Sequence, residues 1–320
     1  MPESNKSLLK RADAEIADLV SNGGILPDEE ADTFIDLVIE QPTILSQSRF
    51  VRMQSHTMKL NRIGFGSRIL HAAPQGTPPY AADDGTNSRY LLAANRSKPT
   101  TTQISLTTEE MMAEVHLPYE YLEDNIEGES LRTHILRLIA ERLALDLEET
   151  ALWSDTTSAD PDLALFDGWL ARMTSNTYDN LSAGITPDVF AEAQKALPQK
   201  YLRYMQQMRG YISHADRISF QQAVATRATG YGDSALKAID TPLYAYSLQL
   251  EAAPLLNAGA GLAAETAFMT FPKNLIFGIR RDISFEMERD IRAREWIIVV
   301  TCRIGTQLDE EEATVKIINM

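Results

Sequence analysis

The chain has 320 residues, 44% of them hydrophobic, and a formal net charge of -15. That length accommodates two domains, or one domain with long excursions, and the charge lacks the basic footprint of a sequence-specific DNA binder. No stretch approaches the ~18 uninterrupted apolar residues of a membrane span, and the first 22 residues carry no signal-type apolar run, so cytoplasmic synthesis is expected. The lone cysteine, Cys302, excludes an internal disulfide and reads as a small packed residue on a strand.

Leu8, Leu9, Ala12, Ile16, Leu19 and Val20 fall on one helical side, and Asn22-Gly23-Gly24 stops that helix. A second short helix starts at Pro27, carries Phe34, Ile35, Val38 and Ile39, and ends at Pro42. Two such helices bury little between them, so they read as an arm that docks elsewhere. From Arg49 to Val115 the pattern changes to strands around a turn-rich loop, Ala72 to Ser88. This is a long hairpin with too few large apolar residues for a core of its own, and a two-stranded ribbon is only marginally stable alone.

Glu129 to Asp155 is the strongest helix. Leu131, Leu138, Leu145 and Leu152 recur every seven residues, with Ile135, Ile139, Leu143 and Leu147 between them. Roughly 25 residues at ~1.5 Å each make a rod nearly ~40 Å long. Phe166-Asp167-Gly168-Trp169-Leu170 follows as an aromatic corner. Thr186-Pro187-Asp188 opens another helix, with a capping residue and a proline at its first position. Met208 to Ile212 reads as a buried strand, Asp216 to Arg227 as a helix, and Ala228 to Ala267 as a glycine- and alanine-rich segment. The chain closes with four β-branched and aromatic runs, at Asn274–Arg281, Ile283–Met287, Trp296–Thr301 and Ala313–Ile317, the pattern of an antiparallel meander. In it Glu286, Glu288 and Asp290 alternate with strand residues as a solvated or intersubunit face. The fold class is α+β.

Charge is unevenly spread. Asp28, Glu29, Glu30, Asp32, Asp36 and Glu40 form an acidic run without a base. Between Leu45 and Pro99 the bases Arg49, Arg52, Lys59, Arg62, Arg68, Arg89, Arg96 and Lys98 face only two acids, Asp83 and Asp84. Such runs are either solvated faces or, more pointedly, a basic excursion that lies on acidic surfaces of other copies. Catalytic motifs are missing. His56, His71, His116, His134 and His214 never fall at metal-ligand spacing, and there is no phosphate loop or nucleophile elbow. Gly64-Phe65-Gly66 lacks the third glycine of a dinucleotide site. Asp83-Asp84-Gly85-Thr86-Asn87 lacks the closing glutamate of a calcium loop. No catalytic residue, cofactor or metal is therefore expected.

The order of these parts resembles the tailed-bacteriophage major capsid proteins, whose fold is shared with encapsulin shells and the herpesvirus capsid floor. The resemblance spans nearly the whole chain and is carried by Leu143-Ala144-Leu145-Asp146-Leu147-Glu148-Glu149-Thr150-Ala151-Leu152-Trp153 with Phe166–Leu170. Gly210-Tyr211-Ile212-Ser213 and the meander through Arg303-Ile304-Gly305 add to it. It implies an N-terminal arm (1–48), an extended loop (49–115) and a peripheral domain (116–204 and 280–320) with a spine helix at 129–153. An axial domain (205–279) would complete the subunit.

The resemblance further implies self-assembly into hexamers and pentamers around double-stranded DNA, without sequence-specific binding and without a membrane. Scaffolding, portal and decoration proteins would be partners, and the virion, built in the host cytoplasm, the location. Intersubunit contacts are expected at Arg49, Arg52, Lys59, Arg62 and Arg68 in the hairpin and at Asp28, Glu29, Glu30, Asp32 and Asp36 in the arm. Scaffolding is expected from a separate protein. No lysine–asparagine crosslink is expected, because no local string marks a partner for Lys59 or Lys98. The alternatives are an encapsulin-like compartment with protein cargo and an unrelated cytoplasmic α+β enzyme.

Overall fold

The computed structural model describes residues 43–65, 68–73, 91, 93–118, 130–226, 243–257 and 266–320. The two arm helices, the acids Asp28 to Asp36 and the Asp83–Asn87 turn lie outside them. In chain order the elements begin with β1 (Arg49–Arg52), β2 (Thr57–Gly64), β3 (Thr100–Thr107), β4 (Glu109–Pro118) and the long helix α1 (Ser130–Trp153). Then come α2 (Trp169–Arg172), β5 (Thr177–Asp179), α3 (Pro187–Lys195), α4 (Gln199–Leu202), β6 (Arg209–Ile212) and α5 (His214–Ala225). The chain closes with β7 (Leu243–Ala245), β8 (Leu248–Ala252), β9 (Ala267–Thr270), β10 (Leu275–Asp290), β11 (Glu295–Leu308) and β12 (Val315–Ile318).

Two compact units result: residues 57–106, which hold the β2–β3 ribbon, and residues 1–56 with 107–320. In the larger unit a four-stranded sheet has the order β1-β10-β11-β4, and a six-stranded sheet the order β5-β12-β9-β6-β8-β7. β1 pairs in parallel with β10, Arg49 opposite Ile276 through Arg52 opposite Ile279, and β4 pairs along β11. The ribbon is therefore narrower than the expected 49–115 span, because the residues flanking it are consumed by long-range pairing that no local pattern reveals. The closing meander is likewise shared out. Its first two runs merge into the single strand β10, whose register slips between Ile279 and Ser284, while its last run joins the other sheet.

The long helix packs on the four-stranded sheet. Ala140, Ala144, Leu147, Ala151 and Leu152 are buried with Ile298, Val300, Cys302 and Ile304. Leu138 and Leu145, half of the seven-residue leucine stripe, are instead exposed. The buried side of the helix carries alanines, and small side chains let neighbouring backbone come close, as α2 does after the turn. Gly168 shows the same demand: a Cβ there would stand 2.9 Å from the carbonyl oxygens of Ala151 and Leu152. This lets the turn after α1 fold under, so that Trp169 is fully buried and its Nε1 donates to Ile276 O at 3.1 Å.

The six-stranded sheet is covered on one face by α3 and α5, through Val189, Phe190, Ala193, Phe220 and Val224. Its other face contributes Tyr211 and Phe268 to the core under α1, their ring centroids 4.9 Å apart. Thr186 occupies the cap position of α3 and Pro187 its first turn, but the threonine side chain makes no capping bond; Ser213, ahead of α5, does cap, accepting from Asp216 N at 3.0 Å. β5, β7 and β8 were not anticipated. All are three to five residues long; β5 pairs only at long range, with β12, whereas β7 and β8 form a tight hairpin through Tyr246 and Ser247, both at positive φ.

Candidate assembly surfaces

Strand alternation puts one side of the four-stranded sheet against α1 and leaves the other to solvent. On the solvent side the register aligns three strands into rows: Ser284, Thr301 and Met112; Glu286, Val299 and Glu114; Glu288, Ile297 and His116; Asp290 and Glu295. Glu110 and Arg303 continue it at one end, joined by an ion pair of 2.6 Å. The face thus carries six carboxylates around a short apolar strip of Ile297, Val299 and Met112. Met112 is 66% exposed. The turn beyond the last row changes sign, with Arg292 and Arg294 exposed beside Ile291.

His116 is the one residue on this face held between two acids. Its Nδ1 lies 2.8 Å from Glu295 Oε1 and its Nε2 2.9 Å from Glu114 Oε1. Glu295 first, then Glu114, raise its pKa above the ordinary histidine value of 6.5, because both hydrogen bonds favour the imidazolium. On the opposite side of the same sheet Cys302 is buried, and burial pushes its thiol up to about 11.

The ribbon presents a different chemistry. Along β2, Thr57, Lys59, Asn61 and Ile63 are exposed, while Met58, Leu60 and Arg62 are half-buried on the other side. Asn61 Oδ1 accepts from Gln103 Nε2 at 2.9 Å, which sets the exposed sides of β2 and β3 together. Ile63 is 73% exposed and Leu70 80%, with Phe65 and Ile69 also open to solvent.

The five basic residues singled out from the sequence do not form one stripe. Arg49 and Arg52 are exposed on β1, at the edge of the four-stranded sheet rather than on the ribbon. Lys59 and Arg62 lie on opposite faces of β2, as an odd spacing requires, and Arg68 is exposed beyond the strand, its carbonyl accepting from Ser97 Oγ at 2.9 Å. Their expected acidic partners in the arm lie outside the described residues. The acidic surface that the structure does display was half legible: Glu286, Glu288 and Asp290 were read as one face, whereas Glu110, Glu114, His116 and Glu295 were not. The alternation of Glu110, Met112, Glu114 and His116 was the available signal. Among the described residues no three acidic, histidine or cysteine side chains are placed to hold a metal ion, and no helix is long and apolar enough to cross a membrane.

No family model matches the sequence. A putative prophage capsid protein of Bacillus subtilis (strain 168), YqbE, is 35% identical over 321 residues, covering 99% of both chains. The chain belongs to the phage capsid protein family. The solved structures agree on the fold of this capsid protein. A chain of the satellite phage P4 procapsid with its size determination protein superposes with a TM-score of 0.58 at 14% identity, over 90% of this chain and 97% of that one. The capsid of a native GTA particle gives 0.58 at 13%, over 88% and 90%. The mature capsid of bacteriophage PhiM1 gives 0.55 at 11%, over 87% and 86%. In the capsid protein, then, the exposed ribbon and the carboxylate-lined sheet face are surfaces of a shell subunit.

Proposed function

We propose that this capsid protein is the major subunit of a tailed-phage head, closing as pentamers and hexamers into an icosahedral shell around double-stranded DNA. The observation that carries the reading is the full-length kinship with a prophage capsid protein. The ribbon supports it, since a two-stranded element exposing Ile63, Phe65, Ile69 and Leu70 gains a partner only in an assembly. Phage relatives also favour nucleic acid over a protein cargo as the content. A net charge of -15 suits a wall that encloses DNA without gripping it. Scaffolding, portal and decoration proteins are the further partners of such a shell, and assembly takes place in the host cytoplasm.

Within the subunit, residues 1–48 serve as the arm and the ribbon as the extended loop. The long helix with the four-stranded sheet forms the peripheral domain, and 205–279 the axial one. The basic side chains Arg49, Arg52, Lys59, Arg62 and Arg68 meet acidic surfaces of neighbouring copies, either the arm acids Asp28, Glu29, Glu30, Asp32 and Asp36 or the sheet face around Glu286 and Glu288. Each exposed pair contributes under ~1 kcal/mol, so charge sets register and the apolar residues supply adhesion.

Charge exchange tests this. Lys59→Glu with Lys98→Glu reduces the particle yield seen by electron microscopy, and adding Glu286→Lys with Glu288→Lys restores it. Normal particles from the lysine variant alone, or no recovery in the combined one, reject the sheet face as the ribbon's counterpart.

A further inference from the structure

The six residues from Thr43 to Ser48 are bound from three sides. Leu45–Gln47 form a single 3-10 turn, and Ile44 and Leu45 are buried in the core under α1. Glu148 of α1 is 1% exposed, and its Oε2 accepts the backbone N–H of both Ile44, at 3.2 Å, and Leu45, at 3.3 Å. On the far side of the turn Gln47 accepts from the Tyr211 hydroxyl of β6 at 2.9 Å and donates to Glu251 of β8, which Arg209 pairs at 3.1 Å. Ser48 O accepts from Lys273 Nζ at 3.1 Å. One short segment therefore touches the long helix and both strands of the parallel β6–β8 pair.

A buried carboxylate facing no cation is an expensive choice on a helix whose neighbouring positions, Ala144, Leu147, Ala151 and Leu152, are apolar. The two amides are the only donors that reach it among the described residues. They are also the first N–H groups of a turn, which have no partner within it. We propose that Glu148 is a positioning residue: it anchors the turn Thr43–Ser48, and so fixes the point from which the preceding arm, on the capsid reading, is directed to a neighbouring copy. The anchoring itself is a property of the single chain; only its consequence for neighbouring copies rests on the capsid reading.

Burial raises the Glu148 pKa, and the two amide bonds offset this only in part. The two bonds themselves pull the other way, since each favours the ionised carboxyl. The other groups facing the site are the Tyr211 hydroxyl and, through Gln47, Glu251 and Arg209, with Lys273 at the end of the turn. Tyr211 is itself raised by burial and stays neutral throughout.

Amide hydrogen exchange on the unassembled full-length chain, corrected for intrinsic rates, tests the anchor. In Glu148→Ala the peptide covering 43–48 exchanges roughly tenfold faster or more while that covering 298–304 is unchanged. Glu148→Gln, which keeps an acceptor, retains protection. Unchanged exchange in Glu148→Ala overturns the proposal, as does a Gln variant as unprotected as the Ala variant. Should the Ala variant fail to fold, Glu148→Met, which fills the space without an acceptor, takes its place, and unchanged exchange at 43–48 in it overturns the proposal. None of these outcomes depends on whether shells form.

Discussion

Gly305 lies directly beneath Thr107. A Cβ on the glycine would fall onto the Thr107 carbonyl oxygen, and it would stand 2.9 Å from the carbonyl carbon and 3.2 Å from Thr108 Cα. The obstacle is backbone on both sides, so no rotamer change relieves it. β4 begins at this crossing, with Glu109 paired to Ile304. Gly305→Ala is expected to cost about 3 kcal/mol or more. Gly64→Ala, with nothing within 4 Å, should stay within ~0.5 kcal/mol of wild type. Urea unfolding of the two variants checks the contrast.

Trp169 closes the corner between α1 and the four-stranded sheet. Trp169→Phe removes the donor to Ile276 O and leaves a void, which together should cost about 3 kcal/mol. Thermal unfolding measures the loss, and an unchanged midpoint would show that the indole is not what locks the corner.

His116 makes part of the stability pH-dependent. Its folded pKa is raised above 6.5 by Glu295 and Glu114, so the contribution of the imidazolium is complete below that value and fades as pH rises through the raised one. His116→Gln should therefore fall furthest behind wild type in melting temperature below the ordinary histidine value of 6.5, and converge with it as pH rises beyond the raised one. A gap that is constant with pH would rule out the bridge.

Cys302 should be inert. Its thiol is buried and pushed up to about 11, so a thiol reagent at neutral pH should label it only after denaturant is added. Prompt labelling of the native chain would contradict its packing against α1.

The sequence made the local features readable and hid the long-range ones. The long helix was placed within a residue or two at each end because its apolar density is continuous. Its buried side was not marked by size, since Leu138 and Leu145 stand out in the sequence while Ala140 and Ala144 are the buried residues. The exposed face of Glu286, Glu288 and Asp290 was legible because a strand alternates strictly. The pairing of Arg49–Arg52 with Ile276–Ile279 was not, because it joins segments more than two hundred residues apart. Glu148 gave no local signal. It reads as one acid among several on the helix, and only the return of Ile44 and Leu45 onto it reveals its use.

Sedimentation and electron microscopy of the purified full-length chain test the central claim most directly. A shell subunit should form rings, tubes or closed particles as concentration rises. A single 35.7 kDa species that persists at high concentration, with no particles on the grid, would contradict it.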